Sequence, residues 1–216
     1  MNVTQMILQV LTGVGSTMMI FVLTLVFSLP LGLILAVGRI NAISPVQVVI
    51  KFFISILRGT PLMLQLIVWF YGPYYLFGAT LSASWRVLAV IIGFSINYAA
   101  YFAEIFRSGI QSIPSGQHEA AFILGYSKTQ MFFKITFPQM VKRVLPPVTN
   151  EVITLVKDTS LAFVLAYTEM FTIAKQVAAA QTTIIPLFVA GAFYYIFNLV
   201  VAAVMSRAEK ALDYFE

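Results

Sequence analysis

Glu151 and Asp158 lie seven residues apart in a stretch otherwise rich in Val, Leu and Ile. On a helix that spacing makes both side chains project from nearly one face, where paired carboxylates would hold an ammonium group or a cationic side chain. Asn97, in another apolar stretch, adds a polar amide to the same set. Arg58, in a third, carries a planar fork that matches a carboxylate. Thr60 and Gln65 near Arg58, and Thr159 and Ser160 beside Asp158, offer further hydrogen bonds. These residue types describe recognition of a zwitterion by weak, releasable contacts, without change to any covalent bond. Ionisable groups in apolar surroundings are costly and mark functional pathways by default. The competing use is internal pairing that locks helices. Lys157, rotated about 100° from Asp158 by helix geometry, suits a different partner. Glu104 with Arg107 reads as structural, and Arg58 is near enough to an interface to snorkel.

A second constellation is polar and sits between apolar stretches. Glu119, Ala120, Ala121, Phe122 and Gly125 place an acid, two small side chains, an apolar knob and a flexible glycine within one short segment. Such a segment fits a groove on a soluble partner. Ala120 and Ala121 would let another backbone approach, and Glu119 would pair with a partner cation or cap a neighbouring helix. Pro114-Ser115 reads as a helix start with Ser115 as N-cap, and Gly125 as its left-handed end. Ser127-Lys128-Thr129-Gln130 reads as a capping box opening a second short helix that Pro138 terminates. Taken alone, Glu-Ala-Ala is also ordinary helix composition.

Other chemistries find no support. Gly125-Tyr126-Ser127-Lys128-Thr129 lacks the glycine directly before the lysine and the preceding strand of a phosphate-binding loop. His118 is the one histidine, which rules out a paired-histidine zinc site, so no metal is expected; a surface role is assigned to it. Cysteine is absent, so disulfides and thiolate sites are excluded. A DNA-reading helix–turn–helix would be held away from its grooves by a bilayer, and no nucleic-acid partner is expected despite the formal charge of +5.

The elements that must position these residues are membrane helices. A 60% hydrophobic and 10% charged composition over 216 residues exceeds what a soluble domain of this size can hide. At about 20 apolar residues per crossing, the chain reads as a single domain over 1–216. Its spans fall near 15–38, 52–76, 86–106, 146–168 and 184–206, with a long loop over 107–143. Pro30 should bend the first span. Val3, Met6, Ile7, Val10 and Leu11 recur at helical spacing and suggest a short interfacial helix before it. No basic region precedes that helix, so the N-terminus is expected to stay in the mature chain. Arg39, Lys51, Arg107, Lys128, Lys134, Lys142, Arg143, Arg207 and Lys210 fall on one side, against Arg86 and Lys175 on the other. The excess of basic residues predicts a cytoplasmic long loop and C-terminus, with the N-terminus outside.

Glu119-Ala120-Ala121, three residues, Gly125, nine residues, Ile135 and then Pro138 resembles the coupling loop of ATP-binding-cassette importer permeases, with Phe137 where leucine is usual. Arg58-Gly59-Thr60-Pro61-Leu62 with Gln65, Asn97 through Arg107, Gly109 through Gln117, Leu145-Pro146-Pro147, Asn150-Glu151 and Lys157 through Leu161 are similar to segments of the polar amino-acid permeases. The likeness covers about residues 15–210. It implies an all-α membrane protein, a type I importer permease of the histidine/glutamine kind with a five-helix core, in the bacterial cytoplasmic membrane. It further implies pairing as a homo- or heterodimer, a separate cytoplasmic ATPase that binds ATP and magnesium, and an extracytoplasmic amino-acid-binding protein. On that reading the chain is a transport subunit rather than an enzyme and holds no cofactor of its own. The rival is an ion-coupled secondary carrier or channel, which would generally show internal repeats; the five unequal spans show none.

Overall fold

The computed structural model describes residues 2–212; Met1 and residues 213–216, the ends of the expected domain, lie outside the described part. Among the described residues every regular element is helical. In chain order these are α1 (Val3–Leu11), α2 (Val14–Asn41), α3 (Ser44–Gly59), α4 (Leu62–Phe77), α5 (Ala83–Gln111), α6 (Ser115–Ile123), α7 (Lys128–Met131), α8 (Phe137–Asp158), α9 (Met170–Gln181) and α10 (Ile185–Ala211). A π-helical turn over Phe132–Thr136 joins α7 to α8, and a 3₁₀ stretch over Thr159–Leu165 prolongs α8. Val3–Asn41, Ala83–Gln111 and Ile185–Ala211 are each long and apolar enough to cross a bilayer. Two bent pairs supply up to two further spans: α3 with α4 at 110°, and Lys128–Leu165 with α9 at 58°.

α5 is the post around which the others pack, with α2 lying against it most extensively and α3, α4 and α8 around it. Residues four apart form a ridge on each helix. Val90, Phe94, Tyr98, Phe102 and Phe106 are buried on α5; Ile20, Thr24, Ser28, Gly32 and Ala36 on α2; Met140, Val144, Val148 and Val152 on α8. Ridges of this period interdigitate when helices cross. Small residues set how close they come, because in lipid it is packing rather than apolar burial that joins helices. A methyl group on Gly32 would fall 2.8 Å from the Phe102 Cβ and 3.1 Å from the Ala99 carbonyl oxygen. α10 buries little of itself and leaves Phe188, Tyr195, Ile196 and Val204 exposed, a face fit for lipid or another subunit.

The breaks between helices differ from the sequence reading. Where one span is expected over 52–76, the chain makes two helices. Pro61 pushes the residue before it out of helical geometry, and Thr60 is extended at φ −121°, ψ 147°. Pro138 does not terminate a short helix, because the π turn absorbs its missing donor: the chain bonds back from the Phe137 N–H to the Phe132 carbonyl and continues. The helix therefore begins well before 146 and runs on through Leu165. Residues 169–183, expected as a loop, contain α9. The short helix expected before the first span is present as α1, and it packs on α9: Met6 and Val10 are buried with Met170, Ile173, Ala174 and Val177.

The tightest approach of another backbone to a glycine is at Gly13, between α1 and α2. A Cβ there would meet the Met170 Cα at 2.5 Å and the Met170 nitrogen at 2.6 Å. Gly13→Ala should therefore destabilise the protein by about 1–3 kcal/mol, the usual cost of overpacking. Gly15→Ala, which has open space around it, should not. Thermal unfolding of the two variants in detergent checks the contrast.

Candidate functional site

Asp158 is the last residue of α8, at the point where α-helical bonding gives way to the 3₁₀ stretch. The Tyr98 hydroxyl, from the middle of α5, donates a hydrogen bond of 2.8 Å to Asp158 Oδ2. Tyr98 is buried, its ring against Tyr101 and Phe102. Glu151 lies two turns back along α8. Both carboxylates are half-buried, and both act electrostatically on Tyr98. Arg58 and Asp158 are the charged neighbours of Glu151. The Arg58 guanidinium lies over the Tyr101 ring, 5.4 Å from its centre, within range of a cation–π contact. Glu151, Asp158 and Arg58 thus share one neighbourhood with Tyr98 and Tyr101. Lys157 is exposed and is a charged neighbour of Asp158.

Asn97, Gln65 and Thr60 are placed differently. They gather at the break between α3 and α4, where the last carbonyls of α3 have no helical donors. The Asn97 amide donates to the Leu57 carbonyl at 3.2 Å and to Gln65 Oε1 at 3.0 Å. Gln65 in turn donates to the Leu57 carbonyl at 2.8 Å and to the carbonyl and hydroxyl of Thr60. The Thr60 hydroxyl closes back on the Ile56 carbonyl. Their polar atoms serve the helix break and hold Arg58, one residue from Leu57, at a fixed place. Among the described residues, Ser160 bonds to the Lys157 carbonyl of its own helix.

A third cluster sits where α2 and α5 end. Glu104 takes both Arg39 and Arg107, the latter through two nitrogens at 2.8 and 3.0 Å. The sequence reading pairs Glu104 with Arg107; Arg39 makes the pair a triad that ties α2 to α5. Beside it a cleft of about 480 Å³ is lined by Arg39, Lys51, Arg58, Tyr101 and Glu104.

The loop after α5 forms α6 and α7. Ser115 is the first helical residue and not the cap; Pro114, extended, stands in the N-cap position and leaves no side chain to cap it. Gly125 ends α6 at φ +77°. The Tyr126 N–H bonds to the Ala121 carbonyl and the Gly125 N–H to the Phe122 carbonyl, both at 3.0 Å, which is the Schellman arrangement. The capping box of Ser127 and Gln130 is present in full. Ala121 is buried beneath the helix, while Glu119, Ala120 and Gly125 are exposed together with Phe122, Ile123 and Leu124, at 76%, 83% and 75%. His118 is not a free surface residue: it bonds to the Thr136 hydroxyl at 3.0 Å, and Gln139 bonds to Gln117 at 2.6 Å. α6 is thereby fastened to the π turn and the start of α8.

Two functional-looking residues escaped sequence reasoning. Tyr98 stands in a quoted motif, but nothing in sequence shows that its hydroxyl meets a residue sixty positions on. Glu169 is fully buried and caps α9, accepting from the Phe171 and Thr172 N–H groups, the Thr172 hydroxyl and the Tyr194 hydroxyl. An acid three residues before a threonine, ahead of an alanine-rich run, was the available signal.

Bent apolar helices around a half-buried charged neighbourhood, with a short exposed helix clamped between two of them, define a polytopic transport protein of the membrane. Residues 28–214 match the family of the binding-protein-dependent transport system inner membrane component, and the chain belongs to that family. It is 34% identical over 204 residues to the arginine transport system permease protein ArtQ of Bacillus subtilis, spanning 94% of this chain and 92% of that one. It is equally 34% identical to the L-cystine transport system permease protein TcyB of the same organism, over 93% of this chain and 85% of that one. The crystal structure of an amino acid ABC transporter with histidines superposes with a TM-score of 0.84 at 27% identity, covering 94% of both chains. The chain is a permease subunit of an amino-acid ABC importer.

Proposed function

We propose that this permease carries basic or polar zwitterionic amino acids inward, as one half of a paired pathway driven by a separate ATPase. The observation that carries the substrate class is the shared neighbourhood of Glu151, Asp158 and Arg58. Relatives of equal identity are named for arginine and for L-cystine, so overall likeness does not choose between substrates and the charges of the site must. Two carboxylates on one side of α8 would hold the ammonium group and a cationic side chain, and Arg58 would meet the carboxylate. Asn97, Thr60 and Gln65 would act from behind by fixing the break that presents Arg58, and Ser160 would keep the turn after Asp158. Each contact is single and weak, as release requires.

The driving partner would dock on α6. Its exposed Glu119, Ala120, Phe122, Ile123 and Leu124 offer an apolar knob beside an acid and a small residue, with Ala121 and Gly125 shaping the helix that carries them. ATP and magnesium would bind that cytoplasmic ATPase. An extracytoplasmic binding protein would deliver the amino acid to the opposite end. The excess of basic residues around α6 supports a cytoplasmic position for it and for the C-terminus. Closure of the ATPases would pull the docked helices together and open the pair outward; hydrolysis would return the pathway to the cytoplasm.

Uptake of L-arginine into vesicles holding the complete transporter should require internal ATP, and Asp158→Asn should reduce it at least about tenfold, as loss of a charge partner for a cation does. Uptake driven by an ion gradient without ATP would replace this reading with that of a secondary carrier. Because the chain has no cysteine, Lys128→Cys gives a single thiol on the α6 side. A membrane-impermeant maleimide should label it in inverted vesicles and not in intact cells. At Gly125, φ +77° in open space favours glycine and tolerates asparagine far better than a branched side chain. Gly125→Val should accordingly lower the amount of ATPase that co-purifies, with Gly125→Asn close to the parent protein.

A further inference from the structure

Asp158 needs an anchor that its own helix does not provide. It stands where α8 passes into the 3₁₀ stretch, and the side-chain bonds of that turn, from the Thr159 and Ser160 hydroxyls, go to the Val156 and Lys157 carbonyls rather than to its carboxylate. Among the described residues, the Tyr98 hydroxyl is the one side-chain donor that reaches it, at 2.8 Å to Oδ2. Tyr98 itself has no freedom to wander. It is 2% exposed, and its ring lies 6.3 Å from that of Tyr101 and 6.2 Å from that of Phe102. A phenol held by packing thus fixes one oxygen of a half-buried carboxylate and leaves the other to accept from a ligand. Tyr101, one turn along α5 on the same side, turns its π-face to a cation, at present that of Arg58.

We propose that Tyr98 is a positioning residue for cation recognition: by pinning one oxygen of Asp158 it aims the other at the substrate, and so favours amino acids with cationic side chains over neutral ones. The proposal rests on the reading that Asp158 and Glu151 line the pathway. It differs from a plain helix-locking role in its consequences. A bond that only ties α5 to α8 would, when lost, weaken the binding of every substrate alike. A bond that aims Asp158 would matter only for a ligand that uses that carboxylate, and only while the carboxylate is there.

A double-mutant cycle separates these cases. Tyr98→Phe keeps the ring and its packing and removes the hydroxyl. Binding of L-arginine and of L-glutamine to the intact permease–ATPase complex in lipid nanodiscs is measured by calorimetric titration. In the parent background, Tyr98→Phe should weaken L-arginine binding at least about tenfold, the worth of a hydrogen bond to a charged group, and L-glutamine binding less than about twofold. In the Asp158→Asn background it should change L-arginine binding by less than about twofold, since the coupled partner is gone. Equal losses for both amino acids, or equal losses in both backgrounds, would overturn the positioning role. An Asp158→Asn complex that binds L-arginine as the parent does, or a parent that binds none, would sink the pathway reading instead. Should Tyr98→Phe fail to assemble, Asp158→Glu carries the test. It keeps the charge but moves it one methylene past the hydroxyl, and should likewise weaken L-arginine selectively.

Discussion

A backbone carbonyl or N–H inside a bilayer has no water to turn to, and this constraint governs where the chain can break. The structure interrupts its helices in two places within bent apolar pairs, and both are answered by side chains. At Thr60–Pro61 the freed carbonyls of α3 receive Asn97 and Gln65. At the turn after Leu165, where Ala166 is left-handed without being glycine, the Ala166 carbonyl faces Arg86, and Glu169 takes up the first N–H groups of α9. Without these partners each bend would leave bare polar groups at a cost of several kcal/mol, roughly the margin by which a domain is stable.

The same two breaks create the site. The first stops α3 just beyond Arg58 and leaves its guanidinium over Tyr101, within electrostatic reach of Glu151. The second follows the change from α-helix to 3₁₀ that sets Asp158 at a helix end. The polar residues at these breaks therefore divide by use. Asn97, Gln65, Thr60 and Glu169 are consumed by the fold. Glu151 lies within electrostatic reach of both Asp158 and Arg58, and such a gathering of charges in a membrane protein is where a ligand is expected.

Much of this was legible in the sequence, and the reasons for the rest are physical. Hydropathy placed α2, α5 and α10 because an uninterrupted apolar run has one interpretation. The end of α6 at Gly125 and the capping box at Ser127 were readable because each is a local arrangement of a few residues. Pro61 and Pro138 look alike in sequence and act oppositely: the first breaks a helix, the second is absorbed by a π turn, and the neighbouring tertiary contacts decide which. α9 was missed because twelve residues are too few to register as a span, and its cap, Glu169, is acidic where hydropathy sees only loop. The Glu151–Asp158 pairing follows from helix periodicity alone. The capping duty of Asn97 does not, since it depends on α3 coming within reach of α5 from forty residues away.

From Lys128 to Leu165 the backbone never leaves a helical path, a rod of about 55 Å at helical rise. α6 is bolted to its near end by His118–Thr136 and Gln117–Gln139, while Glu151 and Asp158 ride toward its far end. A push on the short exposed helix has no slack joint in which to dissipate. In the proposed transport cycle the piece that would meet a motor and the piece that would meet the cargo are a single crank, so a small stroke at one surface would arrive as a tilt of the charges at the other.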